Sequence, residues 1–593
     1  MTSRAIAAAG LIFAVVLGAA SCSPRPVRLE ERPNILLIVI DTLRADHLPF
    51  HGYHRDTAPR LRKLLAEGGV VFENAYAPAA WTAPSVAAIQ TGKDPSRLVP
   101  RHDLRGFSIP GNETTIAEHL REAGYETAGF VGNLFLHAGM GFGQGFEKYW
   151  VVPGGYESIP KPAETVLEPA MAWLESRREN PEPYFLYVHF MDPHDPYTSP
   201  RLVDGRSEYF PDYSGPIRGE HVHPLNQGSM QLSGGLAEDI QHLRALYDSE
   251  ILHVDQAAAR LIEAAEELGG RETVVVLLSD HGEEIRDHGG WTHGRTLYQE
   301  IAHVPLAVRV AGKVPGGRRI AANVTAVDVA PTLLAAAGVS GEDLDGVDLL
   351  PAILDPLVEP PRRPIFIRHW QRGPIRAALV VDQHKTMVFN HRQPFSPEPG
   401  VEANTAAEDL RRLPRFASFD LAVDPSERRP AMPSADDIET VYSFLDPTLD
   451  GVRVVLRGIE EGRTASGTLR FSAAPTGTLP LFLADADEVR VVGSSVTFRL
   501  TGEAPPKGFL VLGVPGTLEA VELDPGLPIA VEVGGGATWS GLPVADGALR
   551  RSSWPRWSNR ASLRIWSRES RALAPERPLD AETRAKLQAL GYL

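Results

Sequence analysis

Two aspartates stand where strand-like apolar runs end, Asp41 behind Ile35–Ile40 and Asp280 behind Val274–Ser279. In open α/β sheets ligands bind outside the carboxyl ends of the strands, so two such residues can face one crevice. Every buried strand must also end on something polar, so either aspartate alone carries little weight. The second one is reinforced. Asp280-His281-Gly282 runs on through Glu283 and Glu284 to His288 and His293, which puts three histidines within thirteen residues. A third segment, Trp81-Thr82-Ala83-Pro84-Ser85 through Thr91-Gly92, carries the punctuation of a short helix. Thr82 falls at the N-cap, Pro84 in the first turn and Gly92 at the stop. A hydroxyl there faces the positive end of the helix, which favours anionic ligands, and plain capping is the competing role for Thr82. Thiol chemistry is excluded from the fold, because the only cysteine of the chain is Cys22. Disulfide frameworks, cysteine zinc sites and Cys/His catalysis go with it, leaving a carboxylate/imidazole site.

These residues need a scaffold, and the apolar pattern supplies one. The runs Asn34–Asp41, Tyr184–Phe190 and Thr273–Ser279 are nearly continuous in aliphatic and aromatic residues, the pattern of strands buried on both faces. Helical patterns lie between them: Ala58–Glu67 stopped by Gly68-Gly69, Glu113–Ala123 stopped by Gly124, and Asp239–Leu268 ending at Gly269-Gly270. Strands alternating with helices predict an α/β domain over residues 33–432, a mostly parallel sheet flanked by helices. From 433 to 572 the character changes to short β-prone segments, Val452–Leu456, Thr468–Phe471, Val489–Leu500, Phe509–Val514 and Ile529–Val533, parted by turn residues. This reads as an additional C-terminal β-rich domain, a small sandwich. The tail 573–593 holds an amphipathic helix, Leu579–Leu590, started at Asp580 and closed by Gly591.

The chain of 593 residues has room for two to four domains, and 43% hydrophobic against 23% charged residues excludes a disordered chain. A net charge of −16 argues against nucleic acid as a partner. Residues 1–21 have a basic start at Arg4, an uncharged run from Ala5 to Ala20 and small residues before a break, the pattern of an export signal. Ala19-Ala20-Ser21 ahead of Cys22 resembles a bacterial lipobox. On that resemblance Cys22 is acylated, two acyl chains hold the protein to a lipid bilayer, and 22–32 is a tether. The expected location is the bacterial cell envelope, on an extracytoplasmic face.

Several ordered motifs resemble the sulfatase branch of the alkaline phosphatase superfamily, over about residues 33–425. Pro33-Asn34 through Asp41 is similar to the family's opening strand, and Thr57 through Ala77 to its first helix and second strand. Pro84-Ser85 with Thr91-Gly92 matches the frame of the nucleophile helix. Further matches are Asp192-Pro193-His194, Ser279-Asp280-His281-Gly282, His293-Gly294 ahead of Tyr298 and Glu300, Val327-Asp328 with Pro331-Thr332, and Phe419-Asp420-Leu421. The departures bear on chemistry. Sulfatases proper carry a Cys or Ser that becomes formylglycine, with Arg four residues on; here the positions hold Thr82 and Val86. A formylglycine mechanism is not expected. The paired acids of the opening motif are reduced to Asp41-Thr42, and Phe130-Val131-Gly132-Asn133 stands where a lysine–histidine segment would fall.

Threonine is the nucleophile of the phosphodiesterase, phosphoglycerol-transferase and phosphoethanolamine-transferase relatives. The resemblance implies one divalent metal ion held by Asp41, Asp280 and His281, with Thr82 as a further ligand and the attacking group. A free hydroxyl is too weak a nucleophile at neutral pH, and a divalent ion is one of the few ways to activate it. An imidazole in place of a carboxamide moves the preference from calcium toward zinc or manganese. His293 and His194 align with positions that touch the ester oxygens or protonate the leaving group, while His189, His288 and Asp192 are expected behind the ligands. The implied substrate is a small anionic ester, on a glycan or a lipid head group, cleaved or transferred at phosphorus. Sulfate-ester hydrolysis by an unmodified threonine, and binding of an anionic glycan or lipid without turnover, are the alternatives.

Overall fold

A computed structural model describes residues 29, 31–98, 107–153, 162–232, 236–314, 316–369, 376–389, 416–433 and 441, and strands with some turns between 451 and 567. The export signal, Cys22 and the predicted tail helix lie outside the described residues. The main sheet is built from β1 (Asn34–Ile40), β2 (Val70–Tyr76), β3 (Glu126–Val131), β4 (Lys148–Val151), β5 (Tyr184–Phe190) and β6 (Thr273–Ser279). After a small hairpin of β7 (Glu284–Ile285) and β8 (Trp291–Thr292), it is completed by β9 (His303–Val310) and β10 (Arg318–Thr325). Its eight strands run in the order β10-β2-β9-β6-β1-β5-β3-β4. Only β9 is antiparallel to its neighbours β6 and β2. The two apolar runs that flank β1 in space, β5 and β6, pair with it in parallel over its length.

The central strands are apolar throughout because both faces are covered. Along β1, Ile35, Leu37 and Val39 enter one core, with helices α1 (Thr82–Thr91), α2 (Ile116–Glu122) and the helix Val329–Ala336. Leu36, Ile38 and Ile40 enter the other, with helices α3 (Glu164–Ser176) and α4 (Leu236–Leu268). Helix α2 opens on a full capping box between Thr115 and Glu118, two residues inside the predicted start. The expected helix over Ala58–Glu67 is a single turn at Pro59–Leu61 continued as a wider, π-type turn over Arg62–Ala66, closed by the Glu67 N–H on the Arg62 carbonyl. Buried Asp255 of α4 accepts the backbone N–H groups of Leu61 and Arg60 at its start, at 2.7 and 3.2 Å.

Beyond β10 lies a four-stranded antiparallel sheet that the sequence pattern did not announce: Ile365–His369, Arg376–Val381, His384–Phe389 and Phe416–Asp420. Among the described residues, the C-terminal β-rich region forms two sheets, of six and four strands. The segment expected as one strand, Val489–Leu500, is a hairpin of Glu488–Val492 and Ser495–Thr501. Its reversal is at Gly493, whose φ of +58° suits glycine in a two-residue turn.

Candidate active site

Four neighbouring strands deliver side chains to one place. In the order β3-β5-β1-β6 their carboxyl ends carry Asn133, His189, Asp41 and the pair Asp280-His281. The register is tight: Val39 of β1 lies beside His189 and Leu278, and Ile40 beside Phe190 and Ser279. Local bonds lock the ends together. Asp41 N–H donates to the Phe190 carbonyl at 3.0 Å, Gly132 N–H to the His189 carbonyl at 2.9 Å, and Leu43 N–H to Ser279 Oγ at 2.9 Å.

Each carboxylate has one oxygen engaged and one left over. Asp280 Oδ1 accepts the N–H groups of His281 and Thr42 at 2.9 and 3.3 Å, while Oδ2 has no hydrogen-bond partner. Asp41 Oδ2 accepts Asn133 Nδ2 at 2.7 Å, while Oδ1 has none. His189 Nε2, also without one, lies 3.8 Å from Asp41 Oδ2 and 3.9 Å from Asp280 Oδ2. His281 Nε2 is 3.7 Å from Asp41 Oδ1 and 3.5 Å from Asp280 Oδ2. All four residues are fully buried. The electrostatics match the crowding. Burial, then the Asp280 charge, push Asp41 up to about 7. Burial also acts upward on Asp280, but the His281 and His189 imidazoles hold it down to about 2.

Buried polar atoms without partners cost free energy unless something fills the gap. Here two carboxylate oxygens and an imidazole nitrogen converge on one point, and among the described residues Asp41, His189 and Asp280 are the group that could hold a metal ion. Two carboxylates and an imidazole are a donor set that fits the implied divalent ion. His281 is poised alongside. Its Nδ1 lies 2.9 Å from the Gly282 carbonyl, which can only accept, so Nδ1 donates there and Nε2 faces the carboxylates and Thr82.

Thr82 meets this cluster from helix α1. The N-cap is Trp81, in extended conformation, and Thr82 is the first helical residue; no side chain caps the helix. Thr82 is thus not the capping residue the sequence pattern suggested. Its Oγ instead lies 3.3 Å from His281 Nε2 and accepts weakly from Asn133 Nδ2 at 3.5 Å. Helix α1 is buried at every position, and Ser85 ties it to the Asp280 carbonyl at 2.5 Å. It ends at Gly92 in a left-handed conformation, φ +64°, packed on Ala330 and Leu344.

The two further histidines gather here too. His293 lays its ring on His281, centroids 4.5 Å apart, and meets the His194 ring at 4.9 Å. Gly294 N–H, one residue on, bonds the Ala80 carbonyl just ahead of Thr82. His288 goes elsewhere: it bonds Glu300 at 2.7 Å and stacks on Tyr298. Two residues stand nearer the centre than the sequence reading put them. His189, expected behind the ligands, points into the cluster, and Asn133 bridges Asp41 and Thr82. Strand adjacency was the signal that would have found both.

The model of the family described as Sulfatase matches residues 33–339, just over half of the chain. This chain belongs to the sulfatase family. It is accordingly a sulfatase-family ester hydrolase of the alkaline phosphatase superfamily. It is 28% identical to Arylsulfatase A of Bos taurus over 462 residues, covering 72% of this chain and 87% of that one. It is 29% identical to Choline-sulfatase of Rhizobium meliloti over 377 residues, 54% of this chain and 72% of that one. Among solved structures, one in complex with its substrate D-glucosamine-2-N,6-O-disulfate superposes with a TM-score of 0.54 at 20% identity, covering 70% of this chain and 97% of that one. The phosphonate monoester hydrolase of Agrobacterium radiobacter superposes with a TM-score of 0.52 at 20% identity, covering 70% and 94%. These superpositions speak for the fold.

Proposed function

We propose that this sulfatase-family protein cleaves anionic phosphate or phosphonate esters through direct attack by Thr82. The observation that carries the reading is the place of Thr82 Oγ, uncommitted to helix capping and 3.3 Å from His281 Nε2, at the edge of the Asp41/His189/Asp280 cluster. A divalent ion held by these residues would lower the pKa of a nearby hydroxyl and neutralise charge on the transferred group. Thr82 Oγ forms the new bond to phosphorus as the bond from phosphorus to the leaving oxygen breaks, and the hydroxyl proton passes to solvent. Asn133 Nδ2 holds the Asp41 carboxylate and steadies Thr82 Oγ from the other side. His293 or His194 supplies the proton that the leaving oxygen takes. Water, or an acceptor alcohol, then releases the group from Thr82.

Sulfate-ester hydrolysis at the same site is the second reading, favoured by the relatives named arylsulfatase and choline-sulfatase. Aryl phosphomonoesters, phosphodiesters, phosphonates and sulfates assayed with one metal-analysed preparation separate the two. Faster turnover of the phosphorus esters supports the first reading and faster turnover of aryl sulfate the second. Thr82→Ala should lose at least about a thousandfold in kcat with metal content unchanged, a loss of the size that removal of a nucleophile brings. Undiminished turnover in that variant would end the assignment. The expected acylation of Cys22 belongs to the same proposal: a bilayer-tethered enzyme acting on envelope glycan or lipid head groups. Retention of Cys22→Ala in the membrane fraction would refute the tether.

A further inference from the structure

Behind His293 stands a carboxylate that has no part in the roles assigned so far. Glu283 is fully buried, and its Oε1 lies 3.0 Å from His293 Nδ1. The His293 side chain is 18% exposed against 0% for Glu283, so the pair runs from closed interior to the open side of the site. The His194 side chain is deeper, at 6%, and its Nδ1 is held 2.7 Å from the neighbouring Asp195 carbonyl. Of the two histidines, only His293 rests against His281.

Glu283 is itself pinned. Its carbonyl accepts Arg44 Nη1 at 3.0 Å, and the same guanidinium grips Asp287 at 2.8 Å. The preceding Gly282 donates to the Ile301 carbonyl at 2.8 Å, and a Cβ there would stand 1.9 Å from the Glu300 carbonyl oxygen. A carboxylate at one ring nitrogen fixes the tautomer and the plane of an imidazole and presents the other nitrogen outward.

We propose that Glu283 is a positioning residue for leaving-group departure: it accepts the Nδ1 proton of His293 and holds Nε2 toward the ester oxygen that leaves. The proposal rests on the reading of the site as an ester hydrolase with Thr82 attacking. In the first half-reaction the bond from phosphorus (or sulfur) to the leaving oxygen breaks, and its electron pair stays on that oxygen. Thr82 Oγ forms the new bond, its own proton passes to solvent, and the Nε2 proton of His293 goes to the leaving oxygen. In the second, water bonds to phosphorus (or sulfur) and gives a proton to His293 Nε2. The bond to Thr82 breaks, and Thr82 Oγ takes back a proton from solvent.

The test uses aryl esters of the class the full-length protein turns over, with 2,4-dinitrophenol or phenol as leaving group, since only the poorer one needs protonation. Glu283→Gln should lose at least about tenfold more in kcat on the phenyl ester than on the dinitrophenyl ester, in the range seen when supporting hydrogen-bond partners are removed. KM should hold within about threefold on both, as expected when the lost interaction acts on the chemical step. His293→Ala should show the same selectivity, and Glu283→Gln should add nothing in the His293→Ala background. Equal losses on the two esters, or losses that multiply in the double variant, would overturn the proposal. If Glu283→Gln does not fold, Glu283→Asp, with the charge kept and the reach shortened, is read by the same ratio. Thr82→Ala tells the two levels apart. Full turnover in it removes the underlying reading, whereas lost turnover with no leaving-group selectivity in Glu283→Gln removes only the role of Glu283.

Discussion

His189 sits next to last in the strand Tyr184–Phe190, inside a run so apolar that its imidazole passes for a buried strand residue. What makes it a ligand candidate is the neighbour strand: Val39 is its register partner, so Asp41 begins two residues farther along. Asp41, Asp280, His281 and Thr82 stood out as candidates at strand ends, in a histidine-rich segment and at a helix start, and the family resemblance joined them into one site. His189 and Asn133 did not stand out, because strand order decides what stands beside Asp41, and no local pattern encodes it. His189→Ala should therefore lower metal affinity at least as much as His281→Ala, by tenfold or more, read by metal content after dialysis against a chelator. Asn133→Ala, which strips a 2.7 Å bond from the buried Asp41 carboxylate, should weaken metal binding about ten- to a hundredfold while leaving the ligands in place.

At the scale of elements, the site depends on loops that have one way to pass. Gly282 follows His281 with the Glu300 carbonyl 1.9 Å from where a Cβ would stand. Gly282→Ala must push apart the segment carrying His281 and the turn at Glu300. It should cost about 1–3 kcal/mol, the usual toll of overpacking, and depress kcat along with it. A urea titration reads the first and a steady-state assay the second. Helix α1 shows where local signals mislead. Thr, Pro and Gly at the right spacing gave its extent within a residue, yet the cap fell on Trp81, a residue that offers its helix no side-chain acceptor. The cost of that weak cap is offset by burial of the whole helix, which frees Thr82 for His281.

For the molecule as a whole, the parallel sheet with a core on each face was predictable from three apolar runs and the helices between them. The sheet spanning Ile365–Asp420 was not, its strands being short and antiparallel inside what reads as one α/β unit. Long-range burial also shapes stability against pH. Asp255 of α4, capping the start of the segment at Pro59, is pushed up by burial to about 6. The folded state therefore holds that proton more tightly than the unfolded chain does. The resulting stabilisation is full below the unfolded value of 3.8 and is lost as pH rises through about 6. Asp255→Asn cannot titrate, so the advantage of the parent protein over it should shrink across that window by up to about 3 kcal/mol, read from paired denaturant curves at pH 4 and 7.

The central claim is a covalent bond at one threonine. Rapid acid quench during turnover of a slow aryl ester, followed by peptide mass spectrometry, reports it directly. The account predicts a phosphoryl or sulfuryl group on the peptide containing Thr82, absent from Thr82→Ala. Sustained turnover with that peptide unmodified at every quench time, and with Thr82→Ala equally active, would contradict it.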